Sequence, residues 1–302
     1  CYTLDLPERI QVLKEYGFSE EETEQILNAL RNVTNHIIDH KNGLWRRDYE
    51  KIQFLNKRYD EIMESGMEDV EKVYWLLEDC KRYGTLPFAG LARGAFIAVQ
   101  ILKSLTACGI LTEKDYELFM NEVNTVSSGM NADFRDLSRS AFLKKYGHLR
   151  PGTYDITSLR YDEAPELYFE WKEETQQQEG LAEEFRLSLK QLNKLKKKLV
   201  ENGLTNDILE LMDFIKTVIE GREYGKFVFT RNLSKAIQLI GRLGQSEEIS
   251  IEDCAFINIR TIYELYASTK NVREAFLYSI QQGKREYKVT QSVTLPPVII
   301  EP

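Results

Sequence analysis

Along most of the chain, apolar residues recur every three or four positions, the spacing of one helical face. The pattern predicts a helix from Ser19 to about His40, where Ser19 and Glu22 form a capping box. Further helices are predicted at about 7–17, 44–64, 69–82, 112–145, 181–202, 205–220, 250–267 and 271–282. Strand signals are sparse, and a strand or small hairpin near the tail is left open. The pattern therefore predicts an all-α, multi-helix bundle.

One segment, FAGLARGAFIAVQILKSLTACG after Pro87, is apolar nearly all round and rich in small residues. Such a helix belongs in a core, where small residues let neighbouring helices approach closely. Arg93 is isolated within this segment. An arginine on a buried helix must be paired or face a cleft. Both a structural salt bridge and a place in a binding site are therefore open for Arg93.

The helical pattern stops at the loop YGHLRPGTYD, residues 146–155. Pro151 disfavours a helical conformation at Arg150, and Gly152 can adopt a positive φ at no steric cost. Hydrogen-bonding side chains are concentrated there, namely those of His148, Arg150, Thr153, Tyr154 and Asp155. Two interpretations stay open, a structural crossing in which Arg150 pairs with Asp155 and a site for a ligand or phosphate.

Beyond this loop the pattern is irregular from Glu163 to Gly180, and the run 173–179 is typical of a solvated helix or a connector. We therefore predict two subdomains, 1–162 and 163–302, the second ending in an extended tail from Val289. The chain starts without Met and ends at LPPVIIEP, which suggests an excised piece of a longer protein.

Composition excludes several classes of protein. The 302 residues are 42% hydrophobic, enough for a sizeable core, and no apolar run is long enough to span a bilayer. The formal net charge of −8 argues against a nucleic-acid-binding protein. Four scattered cysteines without a CxxC pair, and no visible secretory signal, predict a cytoplasmic protein with reduced thiols.

Most catalytic motifs are absent, including the phosphate-binding P-loop and the GxSxG elbow. His36 and His40 are four residues apart, but without HExxH a metal site is not favoured. What remains is a set of cations near glycine-rich breaks: Arg93, His148, Arg150, Arg222, Lys226 and Arg231. Arginine and lysine suit phosphate contact, and a histidine suits proton transfer near neutral pH. A solvated helix face is the alternative for the last three.

The residues YGHLRPGTYDITSLRYDE resemble the YGH-R-PG signature in the helical middle region of phosphoenolpyruvate-synthase-like enzymes and rifampin phosphotransferase. The resemblance extends from roughly Tyr83 to Pro297. Such enzymes combine an ATP-grasp part, a swivelling domain that carries phosphate on a histidine, and a part that receives it or binds the acceptor. This chain resembles the helical middle part, and its tail resembles the lead into the missing swivelling domain.

The resemblance implies roles for particular residues. The segment GREYGK is similar to an Arg and a Lys four residues apart that meet the transferring phosphate, which implies this role for Arg222 and Lys226. His148 and Arg150 match the family's loop by position, and His148 is the hypothetical general base. The expected phosphate-binding residues are Arg150, Arg93, Arg231, Tyr154 and Asp155.

The implied function is that of an acceptor-binding or linker domain in a multidomain phosphotransferase. Its expected partners are the ATP-grasp and phosphohistidine domains of the same chain and a small-molecule acceptor, with no nucleic acid and no membrane. ATP and Mg²⁺ are implied for the full-length enzyme and no cofactor for this fragment. The alternatives are a non-catalytic helical scaffold that tethers mobile domains and a protein-interaction module.

Overall fold

The protein is all-α, as the hydrophobic pattern predicts. A computed structural model describes residues 1–171, 183–204, 207–294, 296 and 298, and contains no strand among them. The first helical elements are α1 (Leu6–Arg9), a 3₁₀-helix (Ile10–Tyr16), α2 (Glu20–Ile38), α3 (Leu44–Glu64), α4 (Asp69–Asp79), a π-helical turn (Cys80–Thr85) and α5 (Leu86–Ala107). They are followed by α6 (Glu113–Glu122), α7 (Val126–Asp136), α8 (Arg139–Tyr146), a 3₁₀-turn (Pro165–Leu167), α9 (Leu189–Glu201), α10 (Ile208–Ser246), α11 (Ile251–Cys254), α12 (Arg260–Tyr266) and α13 (Val272–Gln291).

Several helices begin where the sequence places their N-caps. The Ser19 hydroxyl accepts the Glu22 N–H, and Thr112 forms the equivalent capping box for α6. Asn271 caps α13 by accepting the Glu274 N–H. These caps supply acceptors to otherwise unpaired N–H groups of the first turn, so they fix helix starts through local chemistry. The predicted cap at Thr205 lies outside the described residues.

Other boundaries differ from the prediction. Helix α10 continues through Gly221 and Gly225, because tertiary packing outweighs the cost of about 1 kcal/mol for each helical glycine. The Gly221 backbone, for example, packs beside the Tyr49 ring. The predicted weak point at 127–129 is helical in α7, whose N-cap is Thr125. The single helix predicted at 250–267 is two short ones, and α13 extends into the expected tail.

A π-helical turn joins α4 to α5 where the prediction ended the helix near Arg82. Gly84 lies in this turn, and a Cβ there would be 2.6 Å from the Phe229 Cβ and 3.2 Å from Leu55 Cδ2. The turn therefore uses a glycine for close helix contact. Among the described residues, Asp69–Ala107 is long and apolar enough to cross a membrane, but 39% of its most apolar window is buried. This finding differs from the prediction that no apolar run is long enough to span a bilayer, although the core helix of a soluble protein has the same features. A cytoplasmic location stays a prediction.

The chain divides into two compact units built from discontinuous segments. Unit 1 comprises Cys1–Asn56, Lys81–Ser138 and Trp171–Phe229, and unit 2 comprises Lys57–Cys80, Arg139–Glu170 and Thr230–Pro302. This division differs from the sequence-based one into 1–162 and 163–302, which stays a prediction.

The core of unit 1 contains the small-residue helix α5. Leu91, Ala95 and Ala98 are buried there, whereas Phe96 and Arg93 on the same helix are exposed. Gly94 allows α5 to pack closely against Val218 of α10, since a Cβ at Gly94 would lie 3.1 Å from Val218 Cγ1. Helix α5 is therefore buried on one face and not all round as predicted.

The core of unit 2 is a continuous apolar cluster that includes Leu76, Leu239, Ile262 and Phe276. Its Cys254 is 3% exposed, and the sulfur lies against Gly244, so closely that a Cβ at that position would overlap it. Burial, followed by the neighbouring charges of Asp253 and Glu252, raises the pKa of the Cys254 thiol. This thiol is therefore shielded and largely protonated in the folded unit.

Candidate functional site

The YGHLRPGTYD loop of unit 2 is closed by backbone hydrogen bonds. The Tyr161 N–H donates to Leu149 O (2.8 Å), and the Asp162 N–H donates to Gly147 O (3.1 Å). Gly152 does not use the positive φ open to it; a glycine is required there because a Cβ would lie 2.9 Å from Asp155 Cβ. The loop is therefore a compact backbone turn that fixes the positions of its side chains.

Arg150 is 93% buried at the base of this loop, since 7% of it is exposed. Its Nη1 donates to the backbone carbonyl of Asp155 (3.1 Å) and its Nη2 to the carbonyl of Ser234 in α10 (3.5 Å). The Asp155 carboxylate instead accepts hydrogen bonds from the Thr157 N–H and hydroxyl. Arg150 therefore pairs with Asp155, as the structural interpretation expects, but through the backbone carbonyl and not through the carboxylate.

Lys235 is the next residue along α10 after Ser234. Its Nζ donates to the amide oxygen of Gln238 (2.8 Å), and the Gln238 amide donates to Glu163 Oε1 (2.9 Å). Among the residues that the structure describes, no carboxylate oxygen lies within 4.0 Å of the charged nitrogens of Lys235 or Arg150. These two cations are therefore held by neutral acceptors only.

A pocket of about 600 Å³ lies between the loop and α10. Its charged lining residues are Arg150, Lys235, Arg242 and Glu163, of which three are cations. Arg242 lies at the exposed side and pairs with Asp69, its Nε being 2.8 Å from Oδ2. Apolar side chains form a further part of the lining: Ile156, Leu159, Ile237, Leu239 and Ile251.

Burial is the dominant influence on the charges of the pocket. It lowers the pKa of Lys235, and the charges of Arg160 and Arg242 lower it further against the opposing effect of Asp69 and Asp162. Burial likewise lowers the pKa of Arg150. Burial thus makes the charged forms of Lys235 and Arg150 less stable than in water, and a bound anion would stabilise them.

Glu163 shows the opposite balance. Burial alone would raise the pKa of its carboxyl, but hydrogen bonds from the Arg160 N–H and the Gln238 amide, with the charges of Arg160 and Arg150, hold it below the usual value. Arg150, a lining residue, has an Nε atom without a hydrogen-bond partner among the described residues. The pocket therefore retains unused donor capacity beside a net cationic lining.

The other predicted loop residues have different surroundings. His148 is buried, with 7% of its surface exposed, whereas Tyr154 and Asp155 are exposed. Arg231 of α10 lies 3.9 Å above the Tyr59 ring and 3.6 Å from Asp60 Oδ1. Of the residues predicted to bind phosphate, the pocket lining contains Arg150 and none of Tyr154, Asp155 and Arg231.

The remaining predicted residues belong to unit 1. Arg222 lies 5.4 Å from the Phe96 ring centroid and 3.6 Å from Glu223 Oε1, and Lys226 is exposed one turn further along α10. Arg93 is exposed as well. Burial raises the pKa of Asp48, against the charges of Lys51 and Arg93. The role of these three residues stays a prediction.

Sequence reasoning missed Lys235, Arg242 and Glu163 as members of one site. The first two have a detectable signal, because Lys235, Gln238 and Arg242 follow the i, i+3, i+7 spacing of one helical face. Nothing local to Glu163 predicts that it reaches Gln238, 75 residues away.

The two histidines of the predicted pair have different hydrogen-bond partners. His36 Nδ1 lies 2.8 Å from Asn32 O, whereas His40 Nε2 lies 2.8 Å from Asp213 Oδ2 in α10. Within the described part of the chain, no group of three or more His, Cys, Asp or Glu side chains is arranged to hold a metal ion.

Unit 2 therefore contains a closed loop, a cation-lined pocket and an apolar wall. Chemically, this arrangement suits the binding of a small anion, because its charged donors are fixed and incompletely paired. In comparisons of the chain with known proteins, no family model, no curated protein and no solved structure matches it.

Proposed function

We propose that the chain is the acceptor-binding or linker domain of a multidomain phosphotransferase resembling phosphoenolpyruvate synthase. We place its anion-binding site at the unit 2 pocket lined by Arg150, Lys235 and Arg242. The main observation that supports this site is that Lys235, in a partly buried position, pairs with a neutral amide. The YGHLRPG resemblance supports the reaction class.

A phosphoryl group requires positive charge and fixed donors around its oxygens and little covalent help from the protein. Arg150 offers a guanidinium whose position is set by two backbone carbonyls, and Lys235 offers a mobile point charge. A dianion between them would replace water lost on burial and stabilise both charged forms. A purely structural lysine in this place would instead be expected to pair with a carboxylate.

The proposed role within the full-length enzyme follows the resemblance. The ATP-grasp domain would use ATP and Mg²⁺, and the phosphohistidine domain would deliver phosphate to the acceptor side of this chain. His148, Arg222 and Lys226 are the proposed catalytic residues. Because Lys226 is exposed and Arg222 partly exposed, both side chains can meet an incoming domain.

A scaffold without catalysis is the competing function, and one observation favours it. Arg222 and Arg231 each have a carboxylate within 4 Å, and Arg93 has Asp48 as an electrostatic neighbour. In that case the cations form internal salt bridges, and the helices tether and space two mobile domains. The protein-interaction module remains a further proposal.

Phosphate binding to this chain tests the anion site. We expect Lys235→Gln to weaken binding of inorganic phosphate about 10- to 100-fold, because a charged hydrogen bond is worth about 1.5–3 kcal/mol. Lys57→Gln is the control, since Lys57 is in unit 2 with its side chain 73% exposed beside Glu61. Calorimetry and phosphorus NMR measure the affinity; unchanged binding in Lys235→Gln, or none in the parent chain, contradicts the site.

The catalytic role is tested in the full-length protein. We expect Arg222→Ala and Lys226→Ala each to slow phosphotransfer at least about tenfold, since each would remove a cation from the transferring phosphate. Lys216→Ala is a matched control on the same helix, paired with Glu220 at 4.0 Å. Rates equal to the control would remove both residues from the mechanism and leave the scaffold.

A further inference from the structure

One wall of the unit 2 pocket is apolar. Ile156 and Leu159 extend from the loop, and Leu239 and Ile251 come from α10 and α11. Gly241 helps to form this wall, because a Cβ there would be 2.8 Å from Ile251 Cδ1 and 3.8 Å from Ile156 Cδ1. The glycine therefore lets two isoleucine side chains lie over the helix backbone, next to the cations.

The pocket is also larger than a phosphate requires. Its volume of about 600 Å³ equals the share of roughly 20 liquid waters at about 30 Å³ each. Sites of about 300–1,000 Å³ are typical of organic ligands that combine an apolar body with a few polar contacts. Inorganic phosphate would contact the cations at one side and leave the apolar wall in water.

We propose that the pocket binds an organic oxyanion, with its anionic head at Arg150 and Lys235 and a compact apolar body against Ile156 and Ile251. This inference rests on the proposed anion site and names the ligand class of that site. The lining also includes two polar residues, Thr157 and Gln238. Their side chains can form hydrogen bonds with a ligand that carries a hydroxyl or ester oxygen.

Arg150, Lys235 and Leu159 would form different parts of the proposed site. Arg150 is 7% exposed and fixed by the carbonyls of Asp155 and Ser234, so it forms the rigid end of the site. Lys235 reaches the pocket from α10, and its Nζ donates to the Gln238 amide oxygen, an acceptor that an anion can replace. Leu159 is 47% exposed at the entrance and would close over the apolar body.

The test compares the affinities of the unmodified chain for inorganic phosphate, methyl phosphate and phenyl phosphate. Each buried carbon adds apolar contact, so we expect phenyl phosphate to bind at least about tenfold more tightly than inorganic phosphate. Leu159→Ser should reduce this ratio about threefold or more. Leu159 is used because its exposure allows the unit to fold; Ile156→Val provides a second, conservative change in the wall.

The outcomes separate the two claims. Equal affinities for the three phosphates overturn the organic ligand but keep the anion site, whereas no binding of any phosphate overturns the anion site itself. A phenyl preference that survives both Leu159→Ser and Ile156→Val overturns the position of the apolar body. Benzoate distinguishes the head groups: tighter binding of benzoate than of phenyl phosphate retains the apolar subsite and overturns the phosphate specificity.

Discussion

Gly283 lies in the interior of α13, where its backbone contacts the segment that follows α11. A Cβ at this position would come inside 3.0 Å of the Phe256 carbonyl oxygen, closer than Cβ atoms occur in proteins. The obstructing atom belongs to the backbone, so it cannot move away by a rotamer change. We therefore expect Gly283→Ala to displace either α13 or the turn at Phe256.

The size of this effect follows from a comparison with Gly225, which is also inside a long helix. A Cβ at Gly225 would be 3.5 Å from Ile52 Cδ1, an ordinary contact. Both substitutions gain about 1 kcal/mol of helix propensity, so this term cancels between them. The remaining difference is the cost of overpacking, about 1–3 kcal/mol, by which Gly283→Ala should be the less stable variant.

Urea titrations followed by circular dichroism measure the free energy of unfolding of both variants. Gly66→Ala is a second control, because Gly66 belongs to unit 2, as Gly283 does, and a Cβ there meets nothing within 4 Å. We expect Gly225→Ala to be at least as stable as the parent chain and Gly66→Ala to be close to it. If Gly283→Ala unfolds at the same urea concentration as Gly225→Ala, the close approach of α13 is refuted.

Two further predictions concern charge. Phosphate affinity should fall as pH rises through the folded-state pKa of Lys235, which burial and the cations Arg160 and Arg242 lower below 10.5 against the opposing charges of Asp69 and Asp162. For the free chain the same shift makes folding stability rise with pH over that window, because the unfolded state holds the proton more tightly. Calorimetric phosphate titrations above pH 8 should show the fall in affinity in the parent chain but not in Lys235→Arg. Separately, Asp79→Ala should lower the free energy of unfolding by about 1–3 kcal/mol, because the buried carboxylate accepts the Arg58 Nε hydrogen bond at 2.9 Å. Glu61→Ala removes a solvent-exposed partner of Arg58 and should lower it by under about 1 kcal/mol. Equal losses for the two variants in urea titrations would contradict this.

Helix positions were predictable where local chemistry decides them. Ser19, Thr112 and Asn271 each accept an N–H three residues ahead, which is a relation within one turn. The prediction was wrong where distant packing decides. The glycines 221 and 225 look like helix ends in sequence, but the side chains of Tyr49 and Ile52, more than 170 residues earlier, fill the space beside them.

The candidate site shows the same limit. The loop signature identified Arg150, since Gly147, Pro151 and Gly152 mark an irregular turn in the sequence. The Arg150 guanidinium donates to the Ser234 carbonyl of α10, 84 residues away. Arg242 of the same pocket pairs with Asp69 across 173 residues. Such pairings depend on how the helices pack, so the spacing of basic residues alone did not separate Lys235 from solvated lysines.

The buried Cys254 has a consequence for experiments on this protein. Its sulfur fills the space left by Gly244, and its proton is retained because burial raises the thiol pKa. An alkylating reagent can reach it only after α11 separates from α10, whereas Cys1 is exposed in the folded chain. The ratio of the Cys254 and Cys1 labelling rates therefore reports how often unit 2 opens. Mass spectrometry can measure this ratio without introducing a cysteine by mutation.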